Sequence, residues 1–301
     1  MKSKSILGVL LVAVTVLGAV MAAQGAGFKF KYKDINVAGA AETDTYANNK
    51  NAQITGDYLD SSGIIHGVII RGKTATTIDN PKGSSTIGQG INGKGDVVGY
   101  YTNTKTGIIT GFLYTGGKFS DVAPKGSLET EASGINNKGD IVGLYLDSNG
   151  VQHGFLWNGK KFKDIDPKGS QATTAWGVNN AGLITVFMID SNGAYESFST
   201  ADKGKTFTKI KDPKEDSTIG TVCHTPNTAG DIVGTYFDSS QIAHGFLLSG
   251  GKYYNFNDPK APSGGPGTRG DGLSDNEIIV GRYGEGNGNG GYGFEAVAKP
   301  K

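Results

Sequence analysis

The chain has 301 residues, 49 of them glycine, with 37% hydrophobic and 19% charged residues. So glycine-rich and charge-poor a composition favours an all-β fold over helix, in one large domain or two small ones. The formal charge of +1 provides no global attraction to nucleic acid or to a membrane surface, so neither is expected as a partner.

Residues 1–26 read as a secretory signal peptide. Lys2 and Lys4 form its charged start, Ile6 to Val20 its apolar run, and Val20-Met21-Ala22 suits cleavage after Ala22. Gly8, Thr15 and Gly18 interrupt the run, which argues against an uncleaved anchor. A secreted or periplasmic protein with no membrane contact after cleavage is expected. Cys223 is the single cysteine, so no internal disulfide can form and the fold must stand on packing.

From there the chain repeats. A glycine after an aliphatic pair recurs at Gly56, Gly99, Gly143, Gly234 and Gly281, with Val186 in the same place between the third and fourth; the steps are 43, 44, 43, 48 and 47 residues. A second marker keeps step with it: His66-Gly67, Thr110-Gly111, His153-Gly154, Glu196-Ser197, His244-Gly245 and Tyr292-Gly293. The unit is clearest from Gly134 to Pro167. Asn136-Asn137 ends an inner strand, and Lys138-Gly139-Asp140 turns into the strand Ile141–Tyr145. Asp147-Ser148-Asn149-Gly150 turns into His153–Trp157, and Asn158-Gly159 into Phe162–Ile165. Such turns supply the positive backbone angles that tight hairpins need. Four strands in a period of this length are the signature of propeller blades.

The sixth unit stops without a fourth strand, at Gly293 to Val297. The segment Phe28-Lys29-Phe30-Lys31-Tyr32-Lys33-Asp34-Ile35 matches the missing strand. The expected fold is therefore all-β, a six-bladed β-propeller of four-stranded blades whose N-terminal strand completes the last blade and leaves no open edge. The domain should span residues 27–298, followed by a tail at 299–301. A β-helix or solenoid is the competing architecture, but it would strand that first segment.

The run I-N-N-x-G-D-I-V-G-x-Y, followed by D-S-x-G, H-G-F-L and G-G-K-F, resembles the bacterial extracellular repeats named after a His-Ala-Phe signature. The resemblance covers about residues 28–298. This chain has His-Gly-Phe instead, in units three and five, and His-Gly-Val in unit one. The family is defined by its repeat and by export, so the resemblance implies an exported propeller-like protein and no particular reaction. In unit four, Thr200-Ala201-Asp202-Lys203-Gly204-Lys205-Thr206-Phe207 is similar to the Asp-box of sialidases and other propellers, a turn whose aspartate caps backbone N–H groups. It is read as structural.

Known chemistries are poorly supported. His66, His153 and His244 open third strands in blades one, three and five, too far apart to converge within the ~2 Å of a zinc bond. Each is expected to bond neighbouring backbone and fix a blade junction. Asp60-Ser61-Ser62-Gly63, Asp147-Ser148-Asn149-Gly150 and Asp190-Ser191-Asn192-Gly193 look like fragments of calcium loops. Each offers one carboxylate where calcium wants six to eight oxygens. No metal or cofactor is therefore expected. The arginines Arg71, Arg269 and Arg282 are not expected to meet, which disfavours sialidase-like chemistry. No G-x-S-x-G nucleophile elbow occurs, and glycine-rich 284–291 leads into no helix, so it is a loop rather than a phosphate cradle.

Variation inside the repeat points to a site. Three residues before the inner-strand asparagine of each unit lie Tyr46, Gln89, Ser133, Trp176, His224 and Asp271, one per blade and all different. They are expected where the chain enters the inner strand, ringing the channel mouth as a ligand-binding set, with Trp176 stacking on a sugar or other ring. The lysines Lys82, Lys125, Lys168, Lys214 and Lys260 follow prolines in the loops of the same face. Nearby Asp79, Asp121, Asp166, Asp212 and Asp258 cancel much of their field.

The reading is an exported, monomeric binding or scaffold module whose partner is a carbohydrate or other extracellular polymer. Two alternatives stand beside it. One is an extracellular polysaccharide lyase or glycoside hydrolase, with His224 as base and Asp271 or Glu131 as its acidic partner. The other is a purely structural envelope or matrix protein.

Overall fold

A computed structural model describes residues 27–216, 220–284 and 291–300. The signal peptide with its cleavage point, Lys301 and nearly all of the glycine-rich 284–291 segment lie outside the described residues. Among those described there is no helix.

The strands run in six groups of antiparallel neighbours. The chain opens with β1 (Phe28–Ile35). Blade one is β2 (Glu42–Asn48), β3 (Gln53–Leu59), β4 (Ile65–Arg71) and β5 (Thr74–Thr77). Blade two is β6 (Gly83–Ile91), β7 (Val97–Asn103), β8 (Ile109–Thr115) and β9 (Lys118–Val122). Blade three is β10 (Glu129–Ile135), β11 (Ile141–Leu146), β12 (Gln152–Trp157) and β13 (Phe162–Asp164). Blade four is β14 (Ser170–Val178), β15 (Ile184–Asp190), β16 (Tyr195–Thr200) and β17 (Thr208–Ile210). Blade five is β18 (Thr221–Pro226), β19 (Ile232–Phe237), β20 (Ala243–Ser249) and β21 (Lys252–Phe256). Blade six has only β22 (Thr268–Leu273), β23 (Ile278–Gly284) and β24 (Gly291–Pro300) of its own.

Its fourth strand is β1, paired antiparallel with β24 from Phe28↔Pro300 to Ile35↔Gly293. Alternation sets the packing. Lys29, Lys31 and Lys33 face outward, while Phe28 lies 4.7 Å from Tyr254, Phe30 5.0 Å from Phe256 and Tyr32 5.6 Å from Phe294 between ring centroids. The closing strand thus grips blades five and six together. Because β24 runs to Pro300, with Lys299 paired to Lys29, the expected tail at 299–301 is mostly strand.

The core lies between blades. One cluster joins Val98 and Val122 of blade two to Ala132, Ile135, Ile141 and Phe155 of blade three. The third-strand aromatics Phe112, Phe155, Phe246 and Phe294 are fully buried. The signature phenylalanine is thus a packing residue.

Every inner strand carries a β-bulge at the same place. The register slips between Thr45 and Ala47, Gly88 and Gly90, Ala132 and Gly134, Ala175 and Gly177, Cys223 and Pro226, and Gly270 and Gly272. A bulged residue is left out of the ladder and its side chain is re-aimed. Just past the bulge the neighbouring inner strands come close. A Cβ on Gly90 would meet the Ser133 carbonyl at 2.8 Å, and on Gly134, Gly177 or Gly272 the carbonyl of Trp176, His224 or Tyr46 at 2.9 Å.

The far ends of the inner strands are tied by the repeated asparagine. Asn49 Nδ2 donates to the Asn92 carbonyl (2.8 Å), Asn92 to Asn136 (3.2 Å), Asn136 to Asn179 (3.2 Å) and Asn179 to Asn227 (2.6 Å). Each Oδ1 meanwhile accepts N–H groups of its own turn, as Asn136 does from Lys138 and Asp140. One side chain caps a hairpin and staples the next blade.

Candidate functional site

The six bulge positions are where the varied residues stand. Tyr46, Gln89, Ser133, Trp176, His224 and Asp271 sit within the inner strands, not where the chain enters them. The expectation of loop residues at the mouth is corrected accordingly: the bulge turns them onto the channel wall. All six line one cavity of about 200 Å³, joined by Tyr100, Glu131, Thr225 and Arg282.

One wall is aromatic. The Trp176 and His224 rings lie 4.9 Å apart at 40°, and Trp176 Nε1 is buried with no hydrogen-bond partner among the described residues. The other wall is charged and comes from blades one and six. Asp271 is only 3% exposed. Its Oδ1 lies 3.7 Å from His224 Nδ1 and its Oδ2 3.7 Å from Arg282 Nη1. Arg282 packs over the Tyr46 ring at 4.8 Å, and the Tyr46 hydroxyl donates to Asp44 Oδ2 at 3.3 Å. Asp44 Oδ1, Asp57 Oδ1, Asp271 Oδ2 and Arg282 Nη1 are also buried without a hydrogen bond among the described residues. So many unpaired polar atoms in one place are rare in a protein interior.

The electrostatics follow from burial. It pushes the His224 imidazole down to about 4, against the pull of Asp271 and with the help of Arg282 and Arg269. The ring is therefore neutral near pH 7. Burial also pushes Asp57 up to about 7, aided by Asp44, and Glu131 up to about 7, aided by Glu129. Asp44 is raised as well, again chiefly by burial. Arg282 stays protonated, because Asp271, Tyr46 and Asp44 outweigh its own burial. A base needs a pKa near its working pH. His224 is thus a weak proton acceptor, whereas Glu131 and Asp57 can both donate and accept at pH 7.

The arginine expectation is corrected too. Arg269 and Arg282 are cross-strand partners on β22 and β23, and both line a second cavity of about 230 Å³ with Asp44 and Tyr46. Arg71 alone is apart, exposed at the end of β4. The varied-position rule extends to these residues. Two places before each bulge residue stand Asp44, Ile87, Glu131, Thr174, Val222 and Arg269, and just after each marker come Asp57, Tyr100, Leu144, Phe187, Thr235 and Arg282. Both series vary as freely as the bulge series.

The third-strand histidines bond carboxylates rather than backbone. His66 Nδ1 meets Asp79 Oδ2 at 2.8 Å and its Nε2 meets Asp60 Oδ2 at 3.4 Å. His153 meets Asp166 at 2.7 Å, and His244 meets Asp238 at 3.0 Å and Asn257 at 2.9 Å. The other oxygen of each turn aspartate caps its own turn, as Asp147 Oδ1 does for Asn149 and Val151. In the Asp-box-like turn Asp202 likewise accepts from the Lys205 and Thr206 amides at 2.9 Å. Among the described residues one group could hold a metal ion, His153 with Asp164 and Asp166. Asp164 already accepts from the Tyr145 hydroxyl at 2.9 Å. The rim lysines are exposed, and Lys82 is paired with Asp121 at 2.8 Å.

The sequence matches no family profile and no curated protein. Solved structures are similar in fold. TolB from Acinetobacter baumannii superposes with a TM-score of 0.55 at 12% identity, over 88% of this chain and 65% of that one. A Trypanosoma rangeli sialidase superposes at 0.52 and 10% identity, over 91% and 59%. The fucose-binding lectin of Aleuria aurantia, described as a six-bladed β-propeller, gives 0.44 at 14% identity, over 77% of each. The chain is a six-bladed β-propeller.

Proposed function

We propose that this protein is an exported carbohydrate-binding module that takes the end of a glycan into its central cavity. One observation carries the reading: the six bulge residues are positions that the repeat leaves free, and they converge on one cavity rich in unpaired polar atoms. A saccharide suits such a wall. Its apolar face can lie on Trp176, while its hydroxyls both donate and accept, meeting Asp271 Oδ2, Trp176 Nε1 and the Gln89 amide. The test is a glycan array followed by calorimetry. Selective binding that falls at least tenfold in Trp176→Ala supports the module, and no binding to any glycan puts the structural role ahead.

A second reading, an enzyme acting on extracellular polysaccharide, draws on Glu131. Its carboxyl is pushed up to about 7 on the cavity wall, the range of a general acid. Release of product from a bound polysaccharide, abolished in Glu131→Gln, would establish it in place of simple binding.

A further inference from the structure

We infer that the bound sugar carries a carboxylate, seated against Arg269 and Arg282; this rests on the central cavity being a carbohydrate site. The two arginines stand opposite each other on β22 and β23. Both line the second cavity together with Asp44, the other charged group among its described lining residues. Neither guanidinium donates a hydrogen bond to a described residue. Arg282 lies 3.7 Å from Asp271, too far for one, and Arg269 lies over the Phe237 face at 5.6 Å, within the field of Asp271 and Asp44. These two partly buried cations repel each other, and each has five donors to satisfy.

The guanidinium N–H groups that bond no described residue are donors awaiting an acceptor, and a planar carboxylate matches the guanidinium fork bidentately. The two cavities share Tyr46 and Arg282 as a common wall. A pyranose ring on Trp176 in the first therefore faces the arginines of the second across that wall. Each cavity is smaller than the ~300 Å³ at which ligand pockets usually begin. The pair accordingly suits one sugar acid at a chain end rather than a run of residues. Among the described residues the opposite wall has no cation, since Ser133, Gln89 and Glu131 stand there, so an acidic sugar sits with its carboxylate toward the arginines.

The experiment compares glucuronic, galacturonic and N-acetylneuraminic acids with their methyl esters, which keep the shape and remove the charge, by calorimetry at low and high salt. The expected result is that at least one free acid binds about tenfold or more tighter than its ester. That preference should shrink with salt and collapse in Arg269→Gln. Arg269→Lys, which keeps the charge without the fork, should retain only part of it. Equal affinity for acid and ester, with binding lost in Trp176→Ala, overturns this inference and leaves the carbohydrate site standing. Binding of neither acids nor esters, nor of any neutral glycan, overturns both.

Discussion

Gly143 lies directly against Glu131: a Cβ on Gly143 would come within 2.0 Å of the Glu131 carbonyl oxygen. The same holds for Gly56 and Asp44 (1.8 Å), Gly99 and Ile87 (1.9 Å), Gly234 and Val222 (2.4 Å), and Gly281 and Arg269 (2.0 Å). The bulge that aims Ser133 and its counterparts swings the preceding strand against the second strand, and in five of the six blades glycine leaves the room, Val186 standing there in blade four. The marker that reveals the period is thus the complement of the bulge that builds the cavity.

Gly143→Ala should therefore destabilise the fold by about 1–3 kcal/mol, since the obstacle is backbone and cannot rotate away. Urea denaturation measures this. A change below about 0.5 kcal/mol would mean that the bulge is not rigid.

Removing residues 28–35 should leave β24 as an open edge and strip three aromatics from blades five and six. A fall in melting temperature of more than about 5 °C is expected, with a tendency to associate. Phe30→Ala is the milder form and should cost about 2 kcal/mol. Unchanged melting in both would contradict closure by the first strand.

His224 should titrate apart from His66 and His153 by NMR. His224, buried beside Trp176, should show a pKa of about 4. His66 and His153, held between carboxylates, should titrate above the ordinary imidazole value. For those two the stabilising charge is fully present below the unfolded pKa and is lost as pH rises through the folded one. Both are partly exposed, so each pair contributes little. A His224 that titrates near 6.5 would mean that the cavity is open to water.

Asp57 should make the protein more stable in mild acid than at pH 8. Its folded pKa is raised to about 7, so between about 4 and 7 the native state holds a proton that the unfolded chain has released. Stability therefore falls as pH rises through that window, by up to about 4 kcal/mol. Asp57→Asn should flatten this part of the profile. His224 works in the opposite direction, losing stability as pH falls from about 6.5 to 4, so the two single variants separate the slopes.

The blade pattern could be read along the chain because each blade solves the same local problem. Four strands and three turns must bury one phenylalanine and place one asparagine, and those demands repeat at fixed spacing. Trp176, His224 and Asp271 could be singled out because they escape those demands. Arg269 and Arg282 were misjudged because they are 13 residues apart in one hairpin, and a hairpin with a bulge decides which face each side chain takes. The histidine partners were misjudged for a related reason. Asp60 and Asp79 flank His66 from two different turns that only the folded blade brings together.

Periodicity is a local property, and from it alone came the six blades, their four strands and the closure by Phe28–Ile35, since a missing strand and an orphan strand with one pattern have a single solution. The cavity is different in kind. Its walls come from all six blades, and its charges act through a partly buried interior in which a few ångströms separate a paired carboxylate from an unpaired one. That Asp271 of blade six falls between His224 of blade five and Arg282 depends on how six twisted sheets close around an axis. No spacing along the chain encodes that distance.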